Sequence, residues 1–199
     1  MKATTTQNTQ SLCQHAKITV EELAYLTSKT PTAVLGSAQH GKTTLAKHIV
    51  KALTKIPNVK TRVFDSSTKW LFESPCEFVF SVPKPVTTVY DINGEIIATE
   101  EKSTINDGLL KQLLQHKSIC FDFSEIDSVE FERQFQSRLI YLDKQQLIQQ
   151  VKKNKGRITD RVVYVYEECQ GTLGSNSLRR TEMAWLSKAI GISANYGLS

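Results

Sequence analysis

The chain has 199 residues, of which 40% are hydrophobic and 23% charged, and its net charge is +5. This length and composition are typical of one globular domain with its own core, and no apolar run approaches the length of a membrane span. The N-terminus, MKATTTQNTQSLCQ, has no apolar stretch of the kind found in secretory signals. The basic charge fits a polyanionic partner, but simple solubility would explain it equally well.

The spacing and expected burial of the cysteines indicate the redox state of the compartment in which the protein resides. The four cysteines, Cys13, Cys76, Cys120 and Cys169, are far apart and show no C-x-x-C or Cys/His metal-binding spacing. Cys120 and Cys169 lie in or beside apolar strand candidates, so we expect them to be buried thiols. Free buried thiols favour a reducing compartment, and we therefore expect a cytoplasmic protein, in the host cytoplasm if it is viral.

The first predicted elements are a helix, a strand and a second helix. After the polar residues 1–17, a capping box from Thr19 to Glu22 predicts a short helix in TVEELAYLTSK. TAVLG (32–36) is a short apolar run that predicts a buried strand. In KTTLAKHIVKAL, three apolar side chains share one helical face: Leu45, Ile49 and Leu53.

The next part of the chain is rich in β-forming residues. VKTRVFD (59–65) predicts a strand, and the region of about 76–100 contains EFVFSVP and TTVYDINGEIIATE. In the second of these, Asn93-Gly94 separates two β-rich runs, which is a strong hairpin signal. We therefore predict a β insertion, with a hairpin, on the main sheet.

The remaining chain alternates helices with apolar strands. TINDGLLKQLLQHK predicts an amphipathic helix, SICFDFS (118–124) a buried strand, 128–153 a long helix, RVVYVY another strand, and NSLRRTEMAWLSKAI a closing helix. This alternation predicts an α/β fold with a mainly parallel sheet and helices on both faces. We expect a polar N-terminal segment with its short helix at 1–29 and the α/β domain at 30–199.

A phosphate-binding motif lies between the first strand and its helix. GSAQHGKTT matches G-x-x-x-x-G-K-[ST] at Gly36, Ser37, Ala38, Gln39, His40, Gly41, Lys42, Thr43 and Thr44. Its glycines let backbone N–H groups turn towards an anion, and the following helix presents its positive end. Lys42 would reach the β- and γ-phosphates and Thr43 would ligate Mg²⁺. Of the motif residues, Thr44 is better suited to helix packing, and His40 to an exposed position, than to chemistry.

The strand VVYVYEECQ ends in two adjacent carboxylates. Such a pair is costly to desolvate at a strand end, so a cation should lie nearby. In a P-loop protein, Glu167 would hold Mg²⁺ through its water shell and Glu168 would act as the catalytic base or orient the attacking water. The alternative is a strand that runs into solvent with both glutamates hydrated.

A rival acidic strand exists. ICFDFSE also ends an apolar run in Asp122, with Glu125 three residues later. We favour Glu167 and Glu168 because they are adjacent and because Gln170 follows them in a loop rich in Gly and Ser.

The order of these parts resembles the FtsK/HerA superfamily of DNA-pumping ATPases, which includes viral genome-packaging ATPases. TRVFDSS (61–67) resembles the family's strand ending in Asp, SICFDFSEI its extra strand, and VVYVYEECQ its acidic strand. RRTEMAWLSKAIGISANYGLS resembles the helix that leads into a G-R-x-x-G-type turn. The resemblance spans roughly 30–199 and implies a P-loop NTPase fold, ATP and Mg²⁺ as cofactors, a homo-oligomeric, hexameric ring, and double-stranded DNA as partner.

Two features depart from the family pattern. Ala194 stands where the family usually has Arg, which leaves Arg179, Arg180 or a neighbouring subunit as sources of an arginine finger. The family's further strand, which ends in a polar sensor, is not found in this sequence, as expected of a truncated or divergent member.

These features together predict a Mg-ATP-dependent motor ATPase that translocates or packages double-stranded DNA. Four basic residues are candidate phosphate contacts: Lys152, Lys153, Lys155 and Arg157. Residues 1–30 could receive a viral or cellular docking partner. The alternatives are a P-loop kinase acting on a small molecule or a nucleic-acid 5′ end, and a nucleotide-binding switch that does not hydrolyse ATP.

Overall fold

The computed structural model describes residues 18–30, 32, 41–84, 87–100 and 106–167. The helices in these ranges are α1 (Val20–Thr27), α2 (Lys42–Leu53), α3 (Asp107–Leu113) and α4 (Val129–Lys153). The strands are β1 (Val59–Asp65), β2 (Phe78–Ser81), β3 (Thr87–Tyr90), β4 (Ile96–Glu100), β5 (Ser118–Asp122) and β6 (Arg161–Tyr166).

The elements predicted within the described ranges are confirmed. Thr19 caps α1 by accepting from the backbone N–H of Glu22, whose carboxylate accepts from the Thr19 N–H in return. Three predictions lie outside the described residues: the polar segment 1–17, the closing helix in NSLRRTEMAWLSKAI, and all but the first residue of the strand 32–36.

Four strands form one parallel sheet, in the order β2-β5-β1-β6. Asp65 pairs with Asp122 across β1 and β5, Ser81 pairs with Asp122 across β2 and β5, and Phe64 pairs with Tyr166 across β1 and β6. The protein is therefore a mixed α/β protein with an all-parallel four-stranded sheet, as the alternation of elements predicted.

Helices cover both faces of this sheet because successive side chains of each strand point to opposite sides. The α1 and α2 face buries six aliphatic and thiol side chains of the strands: Val59, Val63, Val79, Cys120, Val163 and Val165. The α3 and α4 face is largely aromatic, with Phe64, Phe80, Ile119, Phe121, Tyr164 and Tyr166. The predicted stripe of α2, formed by Leu45, Ile49 and Leu53, packs on the first face. Full burial of each such side chain stabilises the fold by about 1.5–3 kcal/mol.

The inserted region 76–100 divides into two parts. Its first strand, β2, joins the main sheet in parallel with β5, whereas β3 and β4 form a separate two-stranded antiparallel sheet. The hairpin prediction is confirmed, with Gly94 at φ +83° and the Asp91 carboxylate accepting from the backbone N–H groups of Asn93 and Glu95. The prediction that the whole insertion lies on the main sheet is wrong, because only β2 pairs there.

A buried ion pair joins the sheet to α3 and α4. The side chains of Arg62 and Asp143 are 0% and 1% exposed, and Arg62 Nε lies 3.2 Å from Asp143 Oδ2. Arg62 also donates to the carbonyls of Leu114 and His116, at and just after the end of α3, which satisfies acceptors that the helix leaves open. Tyr164 donates its hydroxyl to Asp143 at 3.2 Å, and burial raises the pKa of Tyr164 well above its ordinary value. This network connects the sheet to the two helices that cover this face.

The strands of the parallel sheet all begin on one side, which we call the amino edge, and all end on the opposite side, which we call the carboxyl edge. Their carboxyl ends carry polar residues on the α2 side, namely Ser81, Asp122, Asp65 and Glu167, whereas the loop from Asn154 to Asp160 enters the amino end of β6. In open α/β sheets, ligands bind outside the carboxyl ends of the strands. No helix in the described ranges is long and apolar enough to cross a membrane.

Candidate functional site

The first turn of α2 has neither a side-chain cap nor an acidic side chain of its own. Gly41 precedes the helix with φ +73°, a left-handed conformation that costs a residue with a Cβ about 1–2 kcal/mol. It offers no side-chain cap, and no acidic residue stands in the first turn, which begins with Lys42. The positive end of the helix dipole is therefore not neutralised by the helix's own side chains, as expected where an anion binds.

Thr43 and Glu167 meet directly, although 124 positions separate them in the chain. The Thr43 hydroxyl donates to Glu167 Oε1 over 2.6 Å. Thr43 is the second residue of α2, and Glu167 follows β6, where its backbone N–H donates to the carbonyl of Phe64 at 3.0 Å. The extension of the β6–β1 ladder by one residue thus fixes the backbone of Glu167 at the start of α2. These are the two residues that the sequence predicts as Mg²⁺ ligands.

Two residues of the segment after β1 also contact Glu167. The indole Nε1–H of Trp70 donates to Glu167 Oε2 at 3.2 Å, and Lys69 Nζ lies 3.6 Å from Glu167 Oε1. The Glu167 side chain is 11% exposed and that of Lys69 is 43% exposed. Lys69 is therefore a cation beside the acidic strand end, where the sequence led us to expect one.

The rival acidic strand makes different contacts. Asp122 Oδ2 accepts from the hydroxyl of Ser81, at the end of β2, and Asp122 Oδ1 accepts from the backbone N–H of Ser124, in the turn after β5, each at 3.1 Å. Glu125 is 76% exposed and lies 3.8 Å from Lys84. The direct contact with Thr43 belongs to Glu167, which favours our preferred strand over the rival.

Asp65 has a structural role at the same edge. Its Oδ1 accepts from the backbone N–H and hydroxyl of Ser67, and its Oδ2 accepts from the backbone N–H of Trp70 at 2.8 Å. The carboxylate of Asp65 therefore stabilises the conformation of the segment after β1 and holds Trp70 within hydrogen-bond distance of Glu167.

Several predicted site residues lie outside the described residues: Gly36, Ser37, Ala38, Gln39, His40 and Glu168. Arg179, Arg180 and Ala194 also lie outside them. Thr44 is exposed, so the prediction that it packs against the fold is wrong. Lys42 is partly buried at the first position of α2.

The donor set suits a magnesium ion held jointly with a nucleotide. Within the described part of the chain, no group of three or more His, Cys, Asp or Glu side chains is placed to hold a metal. Mg²⁺ usually keeps several waters and takes only one or two carboxylates plus phosphate oxygens. In P-loop NTPases the protein share of such a site is a Ser or Thr hydroxyl and an Asp carboxylate. Thr43 and Glu167 offer the same two kinds of group, with Glu in the place where Asp is usual.

Sequence reasoning missed Lys69, Trp70 and Glu132. Glu132, in the first turn of α4, accepts from the hydroxyl of Ser66 at 3.0 Å, and burial raises its pKa. A tryptophan in the polar stretch SSTKWLF, directly after a strand that ends in Asp, was the available signal for the segment that contacts Glu167.

The prediction that Cys120 is a buried thiol is confirmed. Cys120 is buried and, like Cys76, is a free thiol, and burial raises the pKa of Cys76 to about 11. Both thiols therefore remain protonated at neutral pH. Cys169 lies outside the described residues.

The four basic candidates for DNA contact are exposed. Lys152 and Lys153 form the last turn of α4, and Lys155 and Arg157 follow in the loop that leads to β6. This loop is at the amino edge of the sheet, opposite to Thr43 and Glu167. A strand of six residues separates the two edges by about 20 Å.

Comparisons with known proteins found no matching family model, no matching curated protein and no matching solved structure.

Proposed function

We propose that this protein is a Mg-ATP-dependent P-loop ATPase of the FtsK/HerA type, which translocates or packages double-stranded DNA as a ring of identical subunits. The observation that carries the proposal is the 2.6 Å hydrogen bond between Thr43 and Glu167. It joins the hydroxyl of the phosphate-loop motif to a carboxylate at the acidic strand end, the two kinds of group that hold Mg²⁺ in such enzymes, with Glu167 in place of the usual Asp. The first turn of α2, which has no side-chain cap and no acidic residue, supports the same assignment.

The residues would divide the work as follows. Gly36 to Gly41 would present backbone N–H groups to the phosphates, and Lys42 would neutralise the β- and γ-phosphates. Thr43 and Glu167 would hold Mg²⁺, which when bound supplies charge neutralisation at the same phosphate oxygens. Glu168 would orient the attacking water and accept its proton. The roles of residues 36–40 and of Glu168 rest on the sequence motif.

The DNA and ring assignments rest on the order of the strand motifs and on the positive charge. The exposed residues Lys152, Lys153, Lys155 and Arg157 are at the amino edge of the sheet. DNA that contacts them would pass on the side of the sheet away from the nucleotide. Subunit contacts, rather than direct contact with the nucleotide, would then couple hydrolysis to DNA movement.

The first test measures ATP binding and hydrolysis with and without duplex DNA, for the unaltered chain and for Lys42→Ala and Glu168→Gln. We expect Lys42→Ala to lose ATP binding, because the charge opposite the phosphates is removed. We expect Glu168→Gln to bind ATP but to hydrolyse it at least about 100-fold more slowly, which is the usual contribution of a general base.

Matched controls exist within the chain. Lys51→Ala removes an exposed lysine from the last turn of the same helix, and Glu125→Gln neutralises the exposed glutamate of the rival strand. Both should behave like the unaltered chain. Transfer of the γ-phosphate to an oligonucleotide would show that the protein is a kinase and not a motor. ATP binding without turnover would show that it is a nucleotide-binding switch.

A further inference from the structure

The surroundings of Glu167 extend beyond the proposed metal ligands to a residue that no motif includes. We infer that Trp70 is a positioning residue, whose indole N–H orients the Glu167 carboxylate so that Oε1 faces Thr43, the other residue that would hold Mg²⁺. This inference deepens the proposed function and rests on it. Trp70 itself would touch neither metal nor nucleotide.

The contacts of Glu167 divide between its two oxygens. Oε1 accepts from the Thr43 hydroxyl at 2.6 Å and faces Lys69, whereas Oε2 accepts from Trp70 Nε1 at 3.2 Å. A glutamate side chain has several rotatable bonds, so a bond to one oxygen alone leaves the carboxylate free to rotate. The bond from Trp70 restrains that rotation and keeps Oε1 on the side of α2.

Trp70 is itself held rigidly. Its side chain is fully buried, in a cluster with Val50, Val63 and Cys120. Its backbone N–H donates to Asp65 Oδ2 at 2.8 Å, so the end of β1 fixes its main chain. A buried ring with both ends anchored has little freedom, which is the property required of a group that aligns a ligand.

The identity of the group that accepts the Trp70 indole N–H also supports a role beyond packing. A buried indole N–H needs an acceptor, and a backbone carbonyl would satisfy it equally well. Here the acceptor is the same carboxylate that contacts the phosphate-loop threonine. Hydrogen bonds to ligating carboxylates typically change metal affinity or activity by roughly 10- to 100-fold when they are removed.

The test uses the 199-residue chain and measures the MgCl₂ concentration that gives half-maximal ATP hydrolysis. Trp70→Phe keeps a buried aromatic ring but removes the N–H. We expect it to raise this concentration by roughly 10- to 100-fold, while ATP binding measured in EDTA stays unchanged. In a Glu167→Gln background, the same substitution should cause no further change, because the carboxylate that it orients is gone.

Cys120→Ala is the control for loss of packing. It removes a side chain from the same buried cluster without altering the indole N–H, so it should lower the melting temperature and leave the MgCl₂ requirement unchanged. An unchanged requirement in Trp70→Phe, or an equal change in Cys120→Ala, would overturn the role of Trp70 alone. An unaltered chain that binds no ATP at all would overturn the proposed function, and the assignment of Trp70 with it.

Discussion

Two carboxylates in this fold have closely similar partners but very different surroundings. Asp143 pairs with a cation, Arg62, and accepts from an aromatic donor, Tyr164. Glu167 likewise pairs with Lys69 and accepts from Trp70, but it also accepts from Thr43. The first group is sealed between sheet and helices, and the second lies at the carboxyl edge of the sheet.

The exposure of the two cations separates the groups. Arg62 is 0% exposed, whereas Lys69 is 43% exposed. The buried Arg62 donates to a carboxylate and to carbonyl groups. It cannot exchange these partners without unfolding the region, because the exchange would leave its buried charge unpaired. An exposed lysine can exchange its carboxylate for water at little cost. We therefore expect substitution of Asp143 to affect stability, and substitution of Glu167 to affect the proposed activity.

The largest effect is expected at Asp143. Asp143→Ala leaves the buried Arg62 guanidinium without its carboxylate and should lower the free energy of unfolding by about 3–5 kcal/mol. Chemical denaturation followed by circular dichroism measures this loss. Asp127→Ala, which removes an exposed carboxylate 3.6 Å from Lys84, is the control and should change stability by under about 0.5 kcal/mol. Equal losses in the two variants would abolish the distinction between sealed and open pairs.

The next effect is expected at Glu167 and concerns activity rather than stability. Glu167→Gln keeps an acceptor for Thr43 or Trp70 but removes the charge that would hold Mg²⁺. We expect ATP hydrolysis at millimolar MgCl₂ to fall by about 100-fold, the upper end of what changes around a metal site cost. The free energy of unfolding should change by under about 1 kcal/mol, because the ion pair that is lost is partly exposed. A strongly destabilised Glu167→Gln chain would instead make Glu167 a structural residue like Asp143.

The contrast also explains what sequence could predict. The strands were predictable because a strand covered on both faces is a short apolar run, as in β5, whose five residues are all buried. The helices were predictable because burial of one face repeats the apolar side chains about every 3.6 residues, as in α2, and the hairpin was predictable from Asn93-Gly94. The Thr43–Glu167 contact was predictable because the phosphate-loop motif requires an acidic partner at a neighbouring strand end. These signals are encoded locally, within a few residues of each motif.

Contacts between distant elements had no such local signal. The Arg62–Asp143 pair joins β1 to the middle of α4, 81 positions apart, and an arginine in a strand gives no indication of which helix carries its partner. Trp70 and Lys69 were missed for the same reason, since their role depends on how the segment after β1 folds around Asp65. The separate hairpin was misplaced because β pairing within 76–100 does not specify whether those strands join the main sheet.

The smallest effect is expected at Lys69, and it tests whether the open pair can exchange partners. If Mg²⁺ competes with the ammonium group for Glu167, Lys69→Met should lower the MgCl₂ concentration for half-maximal hydrolysis by at most about fivefold, the equivalent of one exposed ion pair. Lys84→Met, which removes a lysine that is 40% exposed and lies 3.8 Å from the exposed Glu125, is the matched control and should leave the requirement unchanged. A higher MgCl₂ requirement in Lys69→Met would mean that Lys69 helps to hold the nucleotide. The Glu167 pair would then be a fixed part of the site rather than one that opens for the metal.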